Sequence, residues 1–296
     1  MLRTLAFFDV FDHPLSLYEW YAWSLRDAWR SWGAFRDAVD ALECEGRIRV
    51  IDGMAALAGR ERLIEARRAR QAVIARNMKR AMGVARLLQW VPFVEFAAVC
   101  NRLSVGHPHE ESDIDVVIMI RDGRLWFGRL LVTAFLHLAG LRRHGNRIAR
   151  RVCLSFYLTP RAADLQTIAL RDCDDVYLRY WVAHIIPLFA RAGALEDFWR
   201  ANEWAHHALH QAPRPAPLLR RRAPIAVFVA EWLLGGWVGN VCERASRAVQ
   251  LRRMGNAAAG RGTAVVISDA MLKFHENDRR QWYAEQWEER VRAVGA

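Results

Sequence analysis

Two carboxylates stand one residue apart in the stretch GHPHEESDIDVVIMI, residues 106–120: Asp113 and Asp115. They lie at the mouth of an apolar, β-branched run that reads as a strand, and side chains two apart on a strand share a face. Like charges held that close repel, and without compensation one of them keeps its proton. A divalent cation removes the conflict. Mg²⁺ is a hard ion that takes one or two carboxylates and completes its octahedron with water and phosphate oxygens. Asp113 and Asp115 are therefore read as metal ligands and as the catalytic pair of metal-assisted phosphoryl chemistry. The plainer alternative is that Ser112 and Asp113 end a turn and Asp115 sits on a solvent face.

The elements around the pair decide which reading has the right setting. FVEFAAVC, 93–100, reads as a strand, and NRLSVG after it as a turn or short helix. IDVVIMI, 114–120, is the next strand; Asp122-Gly123 then turns the chain into the apolar helix RLWFGRLLVTAFLHLAG. A basic loop, LRRHGNRIARR, leads to a third strand, VCLSFYLT, which Pro160 ends. Alternation places Cys153, Ser155 and Tyr157 on one face of that strand. The remainder reads as largely helical, broken by Pro187 and by the linker QAPRPAPLL. Upstream, three short helices and a hairpin turning at Asp52-Gly53 occupy residues 1–60, with Ser16 and Glu19 spaced as a capping box. Helix, helix, helix, hairpin is the order of a winged helix, whose third helix reads DNA. Here that helix carries Asp37, Asp40, Glu43 and Glu45 against Arg36, a poor face for phosphates. Residues 60–90 read as one long basic amphipathic helix.

With 296 residues, 53% of them hydrophobic, the chain has ample material for a core. A net charge of +11 favours anionic partners: nucleic acid, nucleotides or an anionic membrane surface. The charge is almost all arginine; Lys79 and Lys273 are the only lysines. Five separated cysteines without a CxxC pair point to free thiols and a cytoplasmic location. The N-terminus does not read as a signal peptide. APIAVFVAEWLLGGWVGNV, 223–241, has the length of a membrane span, yet Glu231 sits at its middle. A buried or interfacial helix is expected there, without stable membrane insertion.

Strand, turn, short helix, then Ser-Asp-Ile-Asp on an apolar strand resembles the nucleotidyltransferase superfamily typified by DNA polymerase beta. Further stretches resemble a group of bacterial nucleotidyltransferase-domain proteins: FFDVFDHPLSLYE, VPFVEFAAV, SDIDVVIMIRDGRLWFGRLLV, CLSFYLT and LKFHENDRR. The resemblance implies an α+β fold with a mixed sheet: a winged-helix-like module over 1–60, a nucleotidyltransferase-like domain over 61–165 and a helical region over 166–296. It implies Mg²⁺-dependent transfer of a nucleoside monophosphate from an NTP to an acceptor, which it does not name. Asn101, Arg102, Ser104, Gly106 and Ser112 then form the phosphate cradle, and Arg124, near a helix N-terminus, faces the same anion.

Two departures set up the alternative. Asn101-Arg102 stands where the superfamily has Gly-Ser. Asn tolerates the left-handed backbone the turn requires. Arg102 could bind phosphate, or could lock onto the aspartates and fill the metal site. The third strand also lacks the acid that active members carry, leaving Glu95 and Asp164 as poorly placed substitutes. The alternative is thus a catalytically degenerate protein that binds nucleotide, protein or nucleic acid. His107 and His109 beside Glu110 and Glu111 read as a polar rim, since no further metal ligands accompany them.

Overall fold

The computed structural model describes residues 1–26, 28–145, 148–170, 174–219, 223–255, 262–275 and 278–295. It is an α+β structure with one antiparallel and one mixed sheet. The front part runs α1 (Leu2–Asp9), β1 (Leu15–Ser16), α2 (Leu17–Trp23), α3 (Trp32–Cys44), β2 (Ile48–Ile51) and β3 (Met54–Leu57), with sheet order β1-β3-β2. The capping box is present: Ser16 Oγ accepts from the Glu19 amide at 3.2 Å, and Glu19 accepts from the Ser16 amide at 2.8 Å. The β2–β3 hairpin turns on Asp52 and Gly53, both at positive φ (48° and 73°), as a two-residue turn of matching twist requires.

The segment expected as one helix over 60–90 is two, α4 (Arg62–Ala69) and α5 (Gln71–Leu88). At the break the Arg70 amide is shared between the carbonyls of Ala66 and Arg67. The Arg70 side chain meanwhile reaches the Asp12 carbonyl at 3.1 Å and the His107 ring at 2.8 Å. Then follow β4 (Val94–Val99), α6 (Asn101–Val105), β5 (Ile114–Ile120), α7 (Leu125–Leu138) and β6 (Val152–Leu158). The rear part holds α8 (Val176–Ala183), β7 (Ile186–Ala190), α9 (Ala194–Ala201), α10 (Glu203–His207), α11 (Ile225–Gly235), α12 (Trp237–Met254), β8 (Val265–Ile267), β9 (Met271–Phe274) and α13 (Arg280–Ala293).

The larger sheet has the order β7-β4-β5-β6-β9-β8, and β5–β6 is its one parallel pair. Half of its strands come from the rear, where the sequence suggested mainly helix. Pro187 misled that reading: it lies in an end strand, where a missing N–H is tolerated. β8 and β9 are three and four residues long, too short to show a period.

Alternation along β5 divides the core. Ile114, Val116, Ile118 and Ile120 pack with α5 and α7, while Val117 and Met119 pack with α8 and α9. A third cluster joins the front helices to Tyr180 of α8 and to Trp287 and Val291 of α13. The front part therefore shares its core with the rear. Helix α7 passes close against β5 at Gly128, where a Cβ would lie 2.6 Å from Ile120 Cγ2. Gly128→Ala is expected to lower stability by about 1–3 kcal/mol through overpacking, read from the denaturant midpoint.

The segment 223–241 is bent by 84° between α11 and α12, and no single described helix is long and apolar enough to cross a membrane. The described cysteines, Cys44, Cys100, Cys153 and Cys242, are free thiols; Cys173 lies outside the described residues.

Candidate functional site

The site is built where β4, β5 and β6 end together. Asp113 precedes β5 and Asp115 is its second residue. The parallel register sets Asp115 opposite Cys153 of β6. One oxygen from each aspartate and the Cys153 sulfur lie within 4.8 Å of one another. Cys153 arrives there through an irregularity: the β5–β6 register shifts between Asp115 and Val117, so Val117 pairs with Phe156. The expectation that Cys153, Ser155 and Tyr157 share a face fails at this bulge, because an extra residue inverts the alternation beyond it. Cys153 faces the aspartates, whereas Tyr157 is buried against α7's side of the sheet.

Burial pushes the Asp115 carboxyl up to about 6, and the neighbouring Asp113 adds to the rise. Hydrogen bonds from Asn101 and Cys153 and the charge of Arg143 oppose it. Burial and the Asp115 charge push the Cys153 thiol up to about 12, so it is a neutral donor to its neighbour. Asn101 sits at φ 57°, the left-handed conformation that allowed Asn in place of Gly. Its side chain is occupied: Trp181 Nε1 donates to its Oδ1 at 2.5 Å, and its other end serves Asp115.

Arg102, which the sequence left able to lock the aspartates, is exposed and has no carboxylate partner among the described residues. The ion pair comes instead from Arg143, whose Nη1 donates to Asp113 Oδ2 at 2.6 Å. Arg143 is 44% exposed, so this bond is worth no more than about 1 kcal/mol. Arg143→Ser is expected to raise divalent-cation affinity about two- to fivefold by removing a competitor at Asp113. Titration of the purified variant with cation checks this; weaker binding would make Arg143 a helper of the site.

Other expected cradle residues divide. Ser104 Oγ donates to the Asn101 carbonyl at 2.9 Å, closing α6 on itself. Gly106 caps α6 at φ 83°, with His13 in van der Waals contact of any added Cβ. Ser112 Oγ accepts from the His109 amide at 2.9 Å and shapes the loop before Asp113. These three fix the turn and spend their polar groups on it.

Arg124, expected to face the same anion, is engaged elsewhere. It is buried, donates to Asn240 Oδ1 at 2.9 Å and to the Gly235 carbonyl, and ties α7 to the α11–α12 bend. Its position follows Gly123 at the other end of β5, away from the aspartates. The substitute acids are spent elsewhere: Glu95 pairs with Arg121 at 3.2 Å, and Asp164 caps the turn at Gln166.

The aspartates open on a cavity of about 540 Å³ between α1, α8, β9 and α13, a size suited to a small-molecule ligand. Arg70, Arg102, His107 and His109 line one part and Lys273, His275 and Arg280 another. Tyr177 and Tyr283 stack at 5.0 Å on its wall, and Phe156 stacks on Trp181 at 5.7 Å. Burial and then Arg70 hold His107 down to about 4, so it is neutral at physiological pH. Burial holds Lys273 down to about 8, and its Nζ donates to the Thr263 carbonyl at 2.6 Å. Sequence reading missed Arg143, Cys153 and every rear residue of this cavity. The parallel pairing of β5 with β6, which brings the basic loop alongside Asp113, was the signal for the first two.

The donor set fits a divalent cation. Two carboxylates that disfavour each other's charge would hold it, and Mg²⁺ accepts two carboxylates with water and phosphate completing the shell. The Cys153 thiol, a poor partner for a hard ion, stands where a third oxygen ligand would be expected.

No family model, no curated protein and no solved structure matches the chain.

Proposed function

We propose that this chain binds a nucleoside triphosphate with Mg²⁺ and transfers its nucleoside monophosphate to an acceptor. The observation that carries this reading is the convergence of Asp113 and Asp115 on a cavity lined by cationic and aromatic side chains. The sheet order around the pair and the left-handed Asn101 turn agree with the nucleotidyltransferase resemblance, and the α-α-α-hairpin front agrees with a winged-helix-like module.

Asp113 and Asp115 would hold the cation, which when bound neutralises the triphosphate and favours in-line displacement. Arg102 and His109 at the rim face the phosphates. The aromatic wall offers stacking surface to the base. Asn101, pinned by Trp181 and Asp115, keeps the turn narrow. In the reaction an acceptor oxygen bonds to the α-phosphorus, the bond to the bridging oxygen breaks, and pyrophosphate leaves. The acceptor's proton passes to solvent, because among the described residues no third carboxylate clusters with Asp113 and Asp115; Asp12 and Asp278, also on the cavity wall, are paired with Arg60 and Arg280.

That missing base and the Arg143–Asp113 pair favour a second reading: a degenerate member that binds nucleotide without turnover. Pyrophosphate release from each NTP with Mg²⁺, compared between wild type and Asp113→Ala, separates the two. Release that requires Asp113 supports transfer; nucleotide binding without release supports the second reading. A nucleic-acid reader gains little support, since α3 exposes Asp37 and Asp40.

A further inference from the structure

Helix α11 is built the wrong way round for a helix that faces water. Its single charged residue, Glu231, points inward and is 5% exposed. The carboxylate accepts from the Phe93 amide at 2.6 Å, from Arg121 Nη2 at 2.9 Å and from Arg191 Nη2 at 2.7 Å. Anchoring by that one group turns the apolar side chains outward. Ile225 is 81% exposed, Trp232 80% and Trp237, the first residue of α12, 75%; Phe228, Leu233 and Val238 are exposed with them. A soluble monomer rarely leaves so continuous an apolar surface uncovered.

The charges around this surface indicate what covers it. The only carboxylates of the two helices, Glu231 and Glu243, both accept from backbone amides; Glu243 takes those of Trp126 and Phe127 at 3.0 and 2.8 Å. Their exposed charged side chains are all arginines, and Arg244, Arg252 and Arg253 have no carboxylate partner among the described residues. The sequence adds three arginines, 220–222, immediately before the segment. An apolar centre bearing indoles, with an arginine margin whose neighbouring exposed acid, Asp269, is already paired to Arg247 at 2.7 Å, is complementary to an anionic bilayer surface. Tryptophan prefers that boundary, where its ring is apolar and its N–H is wet. The 84° bend suits a segment lying in the surface rather than crossing it.

We propose that the α11–α12 elbow docks the protein peripherally on an anionic lipid bilayer. Phe228, Trp232 and Trp237 enter the acyl boundary and the arginines contact the headgroups. The elbow adjoins Arg121, just beyond the end of β5, roughly 20 Å along the strand from Asp115 at 3.3 Å per residue. None of the elbow's residues lines the cavity, and the inference stands independently of the nucleotide reading.

The test is flotation of the full chain with phosphatidylcholine vesicles, with and without phosphatidylglycerol, at two salt concentrations. Wild type is expected to float with the anionic vesicles, less so at high salt, and to stay behind with the neutral ones. Phe228→Ser with Trp232→Ser and Trp237→Ser should weaken binding at least about tenfold, because each removed ring forfeits burial. These sites are exposed, so the fold should survive; circular dichroism and unchanged thermal unfolding check that. Arg244→Gln with Arg252→Gln and Arg253→Gln should weaken binding and flatten its salt dependence. Three outcomes overturn the proposal: wild type that ignores anionic vesicles, an aromatic variant that binds as well as wild type, or a wild-type dimer that the aromatic variant dissolves while vesicles remain unbound. The last assigns the face to a second copy.

Discussion

Asp115→Asn is expected to stabilise the metal-free protein and to abolish its Mg²⁺-dependent nucleotide binding. The two effects have opposite signs because they share one cause. Burial and the Asp113 charge raise the Asp115 carboxyl to about 6, against about 3.9 in an unfolded chain. Between those values the folded protein keeps a proton that the unfolded chain has lost. Stability contributed by this group is therefore greatest below about pH 4, declines as pH rises towards 6, and stays low above it. At pH 7.5 the charged form costs about 3 kcal/mol, which a neutral amide removes. The groups facing Asp115 are Asp113, Arg143, Cys153 and Asn101, and none brings a full neutralising charge to it. A cation supplies that charge, so removing the carboxylate should weaken cation-dependent binding by a hundredfold or more, about 3 kcal/mol. In wild type, the same binding should fall about tenfold per pH unit below 6 as the proton competes. Denaturant curves without metal and titrations with Mg²⁺ check the two halves; an Asn variant that is less stable and binds normally would remove Asp115 from the site.

Glu231→Ala should give the largest loss of stability, about 3–5 kcal/mol, because it strands buried partners rather than deleting a surface contact. Burial alone would raise the Glu231 carboxyl, but bonds from Arg191 and the Phe93 amide and the charge of Arg121 outweigh it and hold the carboxyl below its ordinary value. Its stabilisation is thus present above the unfolded carboxylate pKa and is lost as pH falls through the lowered one. With alanine, Arg191 keeps no carboxylate among the described residues, and the buried Phe93 amide loses its acceptor. The change should also release α11 from the sheet and make its backbone accessible to protease. Urea unfolding gives the first effect and limited proteolysis the second. A loss below about 1 kcal/mol would mean that α11 is held by its apolar contacts alone.

The sequence disclosed those parts of the fold whose signals are local. The Ser16–Glu19 cap, the Asp52-Gly53 hairpin and the run of β5 each carry their cause within a few residues. Asn101's left-handed turn was also readable, because the tolerance belongs to the residue itself. Pairing across the chain was hidden. Short strands such as β8 and β9 gain their stability from β6 and show no period of their own. The bulge that brings Cys153 to the aspartates is a feature of two strands together. Arg124 looked like an anion ligand from its place before a helix, but a bend more than 100 residues later claims it. Arg143 lay in a loop rich in arginine, where composition could not single it out.

The central claim is that Asp113 and Asp115 hold a cation for a triphosphate, and one measurement addresses it directly. The purified full chain is titrated calorimetrically with a non-hydrolysable NTP analogue, with and without Mg²⁺, beside Asp113→Ala. Saturable binding that needs both Mg²⁺ and Asp113 is the predicted result. Binding that persists without either, or no binding of any NTP analogue under either condition, contradicts it and leaves the pair as a remnant of the strand's end.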